Sequence, residues 1–404
     1  MSHVPASADG PLKIGYMWTG RMPSKETHSQ QVVSTIDALA QGGADVELVL
    51  PGRWSALFRG GAKKMEQAIR DFYDVHAPFR VKPLYLVPPS KIEVERPFHG
   101  VFATLFKTRR YDVVHTRSRA TMALGAAMGR PIVLETYRRL GEDAPKFART
   151  LAWASHKRGF LGVICHSQQS ADSLIGAGVR EDRVRVLHNG WDPRKLEPRM
   201  SKTEAREALG LPLDKQIVVY TGNVQRSKGL DTVLDMAERT PTIDYIIVGG
   251  DAGHLKALQA NIAARGLTNV KTPGWFPAAQ LPAWMYASDV LIIPPTAGAL
   301  NSGRTVLPMK VFAYVAAGRP ILAADLPDVG EVLTDGVNAR LVPPDDTDAA
   351  VEALEGLLAS KELAEALSAG ALSSASGLSW PERGRKLLAQ YRAWIAANAA
   401  ERGE

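Results

Sequence analysis

Two lysines stand just ahead of expected helices, each after an apolar strand and a loop of small or polar residues. Lys228 lies in "YTGNVQRSKGLDTVLDMA" (220–237), where a strand ends at Gly222 and a helix begins near Gly229–Leu230. Lys310 lies in "LPMKVFAYVAAGRPI" (307–321), a helical pattern stopped by a glycine, behind the bare loop "PPTAGALNSGRT" (294–305). A helix start offers free N–H groups and the positive end of its dipole, and an ammonium adds a point charge, so both places favour phosphate. Arg226 adds a cation to the first loop. Gly298, Ser302 and Gly303 let backbone approach a ligand closely in the second, and Pro308 suits a first helical turn. The chemistry would be the holding of a diphosphate between Lys228 and Lys310. The competing reading of each loop is a solvated basic turn.

A third loop, "TGRMPSKETHSQQ" (19–31), carries His28 beside Thr27 and Ser29. Thr27 followed by Gln30 fits a capping box, which accounts for both. His28 is either an acceptor contact or a surface histidine. "DDTD" (345–348) resembles a carboxylate metal site, but helix capping ahead of "TDAAVEALEGLL" explains it better. No Ser-His-Asp order and no His-x-x-Glu-His helix is present. The stretch 53–74, "RWSALFRGGAKKMEQAIRDFYD", reads either as a membrane-interface segment or as a core-packed helix with a basic face.

These loops must be positioned by something large. At 404 residues two domains are the default. An apolar content of 45% and a charged content of 23% are those of a soluble globular protein. No apolar run is long enough to span a bilayer, and the first residues show no apolar signal core; the expected place is the cytoplasm. The single cysteine, Cys165, excludes a disulfide framework and a multi-cysteine metal site, and reads as a small core residue. The net charge of +7 is uneven: residues 1–190 hold 27 lysines and arginines against 17 acids, the remainder 22 against 25. The positive first half suits an anionic partner, such as a phosphorylated acceptor, a membrane surface or nucleic acid.

Short apolar runs alternate with helical patterns throughout. Strands are expected at 12–18, 45–51, 111–116, 130–136, 162–167 and 183–190, then again at 217–223, 244–250, 269–275, 289–295, 319–325 and 339–344. Such alternation predicts parallel sheets covered by helices on both faces. Pro193, Pro198 and Pro212 mark a linker between two similarly built α/β domains. The helix at 379–400 carries Leu387, Leu388, Tyr391 and Trp394 on one stripe. Ligands of open parallel sheets bind beyond the carboxyl ends of the strands, which is where the three loops fall.

The ordered set "TGNVQRSKGLD", "YIIVGGDAG", "VKTPGWFPAAQLPAWMYASDVLIIPP", "LPMKVFAYVAAGRPILAAD" and "GVNARLVPPDD" resembles the nucleotide-sugar domain of GT-B glycosyltransferases, family 4 (glycosyl transferases group 1) in particular. "HSQQVVSTIDALAQGGADVELVLP" and "DVVHTRS" look like that family's N-terminal domain. The resemblance implies two Rossmann-like parallel-sheet domains facing across a cleft: 1–192 on the acceptor side, 193–379 binding the nucleotide-sugar, and a last helix, 380–398, crossing back onto the first. It implies retaining transfer of a sugar from a nucleotide-diphosphate donor, in polysaccharide or glycoconjugate synthesis, with no metal and no cofactor. Lys228, Asn223 and Tyr137 take the catalytic positions. Gly222, Arg226, Gly249, Trp275, Phe276, Ser302, Gly303, Thr305 and Lys310 fall on the donor side, and His28 and Arg117 on the acceptor side.

This chain departs from the family at four places. Asn223 stands where the family has an arginine, Thr305 and Ala313 where it has two glutamates, and Tyr137 where a histidine is frequent. The partners expected are the donor and an anionic or lipid-linked acceptor, with peripheral association at the inner face of the membrane and no nucleic acid. The alternative is a non-catalytic GT-B protein that binds a nucleotide, a sugar or a partner glycosyltransferase.

Overall fold

The computed structural model describes residues 10–24, 26–52, 61–85, 92–298 and 307–402. The chain divides into two compact units, residues 1–189 with 380–404, and 190–379.

In the first unit, strands β1 (Lys13–Met17), β2 (Asp45–Gly52), β3 (Arg80–Tyr85), β4 (Val113–Thr116), β5 (Ile132–Thr136), β6 (Phe160–Cys165) and β7 (Val184–Val186) form a sheet of order β3-β2-β1-β4-β5-β6-β7. All its pairings are parallel. Such a sheet is buried on both faces, so its strands read as apolar runs. One face carries Ile14, Val113, Val133 and Ile164, and the other Met17, Val114, Leu134 and Val163. The order reverses between β1 and β4, the position where ligands of such sheets bind.

The sequence patterns missed β3. It is an edge strand in which Pro83 follows charged Arg80 and Lys82. Proline is tolerated only at such an edge, and alternating charge hides the strand from an apolar-run criterion. Helix α1 (Thr27–Gln41) begins as expected, but its N-cap is Glu26 and no side chain caps it. The Thr27–Gln30 capping box is therefore not formed. Helices α2 (Gly61–Tyr73), α3 (Ile92–Lys107), α4 (Arg119–Ala127), α5 (Leu140–Asp143), α6 (Pro145–Ser155) and α7 (Gln168–Gly176) complete the crossovers.

In the second unit, β8 (Ile217–Thr221), β9 (Asp244–Val248), β10 (Val270–Gly274), β11 (Val290–Ile292), β12 (Ile321–Ala324) and β13 (Arg340–Val342) give the order β10-β9-β8-β11-β12-β13, again parallel. Its helices are α8 (Lys202–Leu209), α9 (Leu230–Arg239), α10 (Ala252–Ala264), α11 (Leu281–Ala287), α12 (Lys310–Ala317), α13 (Thr347–Ala359) and α14 (Lys361–Ala375). Asp346 caps α13 by accepting from Ala349 N at 3.0 Å, which bears out the capping reading of "DDTD". Gly318, left-handed at φ 66°, ends α12.

The last helix, α15 (Trp380–Arg402), belongs to the first unit. Leu387, Leu388, Tyr391 and Trp394 join the core that Ile14 and Val133 line. Gly162 on β6 is what admits the Trp394 ring, since a Cβ there would overlap it. Cys165 is fully buried, and burial pushes its thiol up to about 12.

Candidate active site

In the second unit, β8 ends at Thr221, and Gly222 follows with φ 138°. Gly249, just past β9, has φ 125°, and a Cβ there would collide with the Gly222 carbonyl oxygen. Only glycine lets the two loops touch backbone to backbone. Lys310, the first residue of α12, lies against this pair. Its Nζ sits 3.3 Å from the centroid of the Tyr220 ring, a cation–π contact, and 3.4 Å from where a Gly222 Cβ would be. Burial lowers the Lys310 ammonium well below the usual lysine range, and the charge of Lys228 lowers it further. Two basic side chains are thus held close together just past the end of β8. Neither Lys228 nor Lys310 makes an ion pair with a carboxylate among the described residues. Such a pair of lysines favours an anion beside it.

The other donor-side residues divide. Lys228 closes a short 3₁₀ turn before α9, half-buried. Asn223 is exposed, and its Oδ1 accepts from Gln225 N at 3.1 Å, so it shapes the loop. Arg226 points to solvent, with its nearest carboxylate, Asp231, at 3.8 Å; it does not join the lysine pair. Phe276 packs on Trp284 of the core, with ring centroids 5.3 Å apart, whereas Trp275 is exposed. Ser302, Gly303 and Thr305 lie outside the described residues. Asp345 anchors the start of their loop, through Thr296 Oγ1 and a 3.2 Å bond from Ala297 N.

The first unit holds a cavity of about 450 Å³ at the carboxyl ends of β1, β4 and β5. It is lined by Trp18, His28, Arg117, Glu135 and Tyr137 among others, so three residues singled out in the sequence meet there. His28 pairs with Glu26 at 2.7 Å and packs near Trp18. Tyr137 lies over His166, with centroids 6.3 Å apart.

Sequence reasoning did not find what holds Arg117. Glu135, fully buried at the end of β5, accepts five hydrogen bonds. Oε1 takes Arg383 Nη2 at 2.7 Å and His166 Nε2 at 2.8 Å. Oε2 takes Tyr16 Oη at 2.8 Å, His115 Nε2 at 3.0 Å and Arg117 Nε at 3.1 Å. Burial alone would raise this carboxyl, but Arg117 and Arg383, with the two imidazoles, hold it well below the usual range. Burial keeps both histidines neutral, His166 at about 4. Two guanidiniums on one carboxylate leave the cluster with one surplus positive charge, and Arg117 is its member at the cavity wall. A signal was present in the sequence: Tyr16, His115, Glu135 and His166 are polar residues at the ends of four apolar strands. A buried polar group needs partners.

Two Rossmann-like parallel-sheet units, each with its loops of interest at the carboxyl ends of the strands, define the GT-B class. Glycosyltransferase Family 4 matches residues 29–195 and Glycosyl transferases group 1 matches residues 201–373. The chain belongs to this family of glycosyltransferases. A UDP complex of Anabaena Alr3699/HepE has a similar fold, with a TM-score of 0.73 at 19% identity, over 95% of this chain and 100% of that one. So has the sucrose-phosphate synthase of Thermosynechococcus elongatus, with a TM-score of 0.72 at 18% identity, over 96% and 100%. In sequence the chain is similar to D-inositol 3-phosphate glycosyltransferase 1 of Catenulispora acidiphila, 29% identical over 252 residues. That match covers 58% of this chain and 57% of the relative, so the chain spans little more than half the length of the relative it matches.

Proposed function

We propose that the protein transfers a sugar, with retention of configuration, from a nucleotide-diphosphate donor to an anionic acceptor in polysaccharide or glycoconjugate synthesis. The observation that carries this is the Lys310–Lys228 pair beside the Gly222–Gly249 contact. In the reaction the bond from the sugar's anomeric carbon to the diphosphate oxygen breaks, and a bond from that carbon to the acceptor oxygen forms. The acceptor's hydroxyl proton leaves with the diphosphate. Negative charge grows on the leaving diphosphate, and the ammonium groups of Lys228 and of Lys310, the latter protonated as the diphosphate binds, meet it. This is the role a metal would otherwise fill. The acceptor takes the cavity of the first unit, where the surplus charge behind Arg117 favours an anion. The relatives named for an inositol phosphate fit such an acceptor.

A second reading is nucleotide binding without transfer. It is favoured by Ala313, a methyl packed against the core at the position where the family's ribose-gripping glutamate stands.

The test is thermal unfolding with UDP, GDP, ADP and dTDP, on wild type and Lys228→Ala. A ligand at a hundred times its Kd stabilises by about 2.7 kcal/mol, a shift of a few degrees. A shift with one nucleotide, lost in the variant, supports the donor site and names its base. No shift with any of them defeats both readings. A shift without turnover of the matching donor sugar, across phosphorylated acceptors, leaves the second.

A further inference from the structure

Helix α3 is built inside out. Its face toward the unit is small or polar: His99, Gly100, Ala103 and Thr104 are buried. Gly100 allows a close approach to α4, with a would-be Cβ only 2.6 Å from Ser118 Oγ, and its carbonyl accepts from Thr104 and Thr121. The opposite face is apolar and open. Phe98, Val101, Leu105 and Phe106 are exposed, Phe106 by 64%, and Phe102 bridges them, its ring centroid 6.3 Å from that of Phe98 and 4.5 Å from that of Phe106. These five residues fall at intervals of three and four, one stripe of a helix. No charged residue interrupts them between 98 and 106. A surface helix normally turns this stripe inward.

The stripe ends in positive charge. Lys107 closes the helix, and Arg109 follows in the next turn. Arg130 stands close enough for its charge and that of Arg109 to act on each other. Among the described residues no carboxylate pairs with Lys107, Arg109 or Arg130. Arg110, by contrast, is held by Glu47. An aromatic stripe flanked by uncompensated cations matches a surface that is apolar beneath and anionic at its boundary.

We propose that the open face of α3 docks the protein on an anionic lipid bilayer, its aromatic rings among the acyl chains and Lys107, Arg109 and Arg130 among the headgroups. The helix lies in the interface: no helix among the described residues is long and apolar enough to cross a membrane. This deepens the reading above by giving an anionic or lipid-linked acceptor a place to be met, and rests on that reading only for its purpose. It also moves the expected membrane contact. The stretch 53–74 was the candidate in the sequence; residues 53–60 lie outside the described residues, and in α2 only Phe72 is a large apolar residue exposed to solvent.

The experiment is co-sedimentation with phosphatidylcholine vesicles, with and without phosphatidylglycerol, for wild type, Phe98→Ser/Phe106→Ser and Arg109→Gln/Arg130→Gln. Wild type binds the anionic vesicles at low salt and releases them as salt rises. The phenylalanine variant weakens partitioning roughly tenfold or more. The arginine variant weakens it roughly tenfold, on anionic vesicles alone. Nucleotide-induced thermal shifts are read on the same preparations and stay at wild-type values. Absence of wild-type binding, or variants that bind as wild type, overturns the docking. So does a wild-type dimer in sedimentation velocity that the phenylalanine variant abolishes, since a second copy would then own the face. Loss of the nucleotide shift in wild type would instead count against the transferase reading.

Discussion

Arg383 donates from Nη2 to Oε1 of Glu135 across 2.7 Å, with both side chains buried. The bond ties α15 to the end of β5, and Arg117 hangs from the other oxygen of the same carboxylate. Arg383→Met leaves Glu135 paired with Arg117 but removes three hydrogen bonds, to Glu135, to Thr35 Oγ1 and to the His188 carbonyl, so it is expected to cost about 3 kcal/mol in chemical denaturation. Glu135→Gln costs more, because it leaves two guanidiniums facing each other. An unchanged midpoint for Arg383→Met would show that apolar contacts alone seat α15.

Acid should unfold the first unit in two stages. His99 and His166 are buried, and burial lowers both to about 4 from an ordinary 6.5. Between those values the unfolded chain binds the extra protons, so stability falls as pH drops from 6.5 toward 4. The slope is about 1.4 kcal/mol per pH unit for each histidine. Glu135, held well below 4.5, contributes stability that is complete above its unfolded value and lost as pH falls further. Denaturation midpoints across this range check the sign. A flat profile between pH 6.5 and 5 would contradict the burial of the neutral imidazoles.

Binding of a nucleoside diphosphate should take up a proton. Burial and Lys228 depress Lys310 in the free protein, and a bound diphosphate restores its ammonium. Affinity therefore rises as pH falls toward the free-state value. Titration calorimetry in buffers of different ionisation enthalpy measures the uptake, which Lys310→Met abolishes together with roughly tenfold or more of the affinity. Equal heats in all buffers would mean that Lys310 is already charged.

Gly249→Ala tests the contact of the two loops. The substitution meets both a φ of 125° and the Gly222 carbonyl. A loss of about 2–3 kcal/mol is expected, with weaker nucleotide binding. Gly253→Ala, where no such contact exists, is the control: its Cβ would find only Asp251 Oδ1 at 3.5 Å.

The alternation of apolar runs and helical spacing made both sheets readable, because parallel strands buried on two faces must be apolar. The stripe on the last helix was readable for the same reason. Edge strand β3 was not, since Pro83 and its charged neighbours obey the rules of an edge. Of the site, Lys228 and Lys310 were legible from their places before helices. The Glu135 cluster was not: its members come from β1, β4, β5, β6 and α15, and only the fold brings Tyr16 and Arg383 together. Arg226 lies in the loop after β8 and Phe276 in the loop after β10, but Arg226 turns to solvent and Phe276 to the core, and sequence position carries no side-chain direction. The stripe on α3 repeats like any core helix, and nothing in its spacing says that it faces outward.

The seating of α15 fixes an order of events at the ribosome. Chains emerge amino end first and domains fold as units. The first sheet nevertheless shares its core with Leu387, Leu388, Tyr391 and Trp394. While residues 190–379 are being synthesised, α1 and α2 can already pack on that face, but the part of it that α15 covers stays open, and Gly162 leaves a slot for an indole not yet made. The earliest-synthesised unit is therefore the last to be finished, and a nascent chain halted before Trp380 would be a client for chaperones.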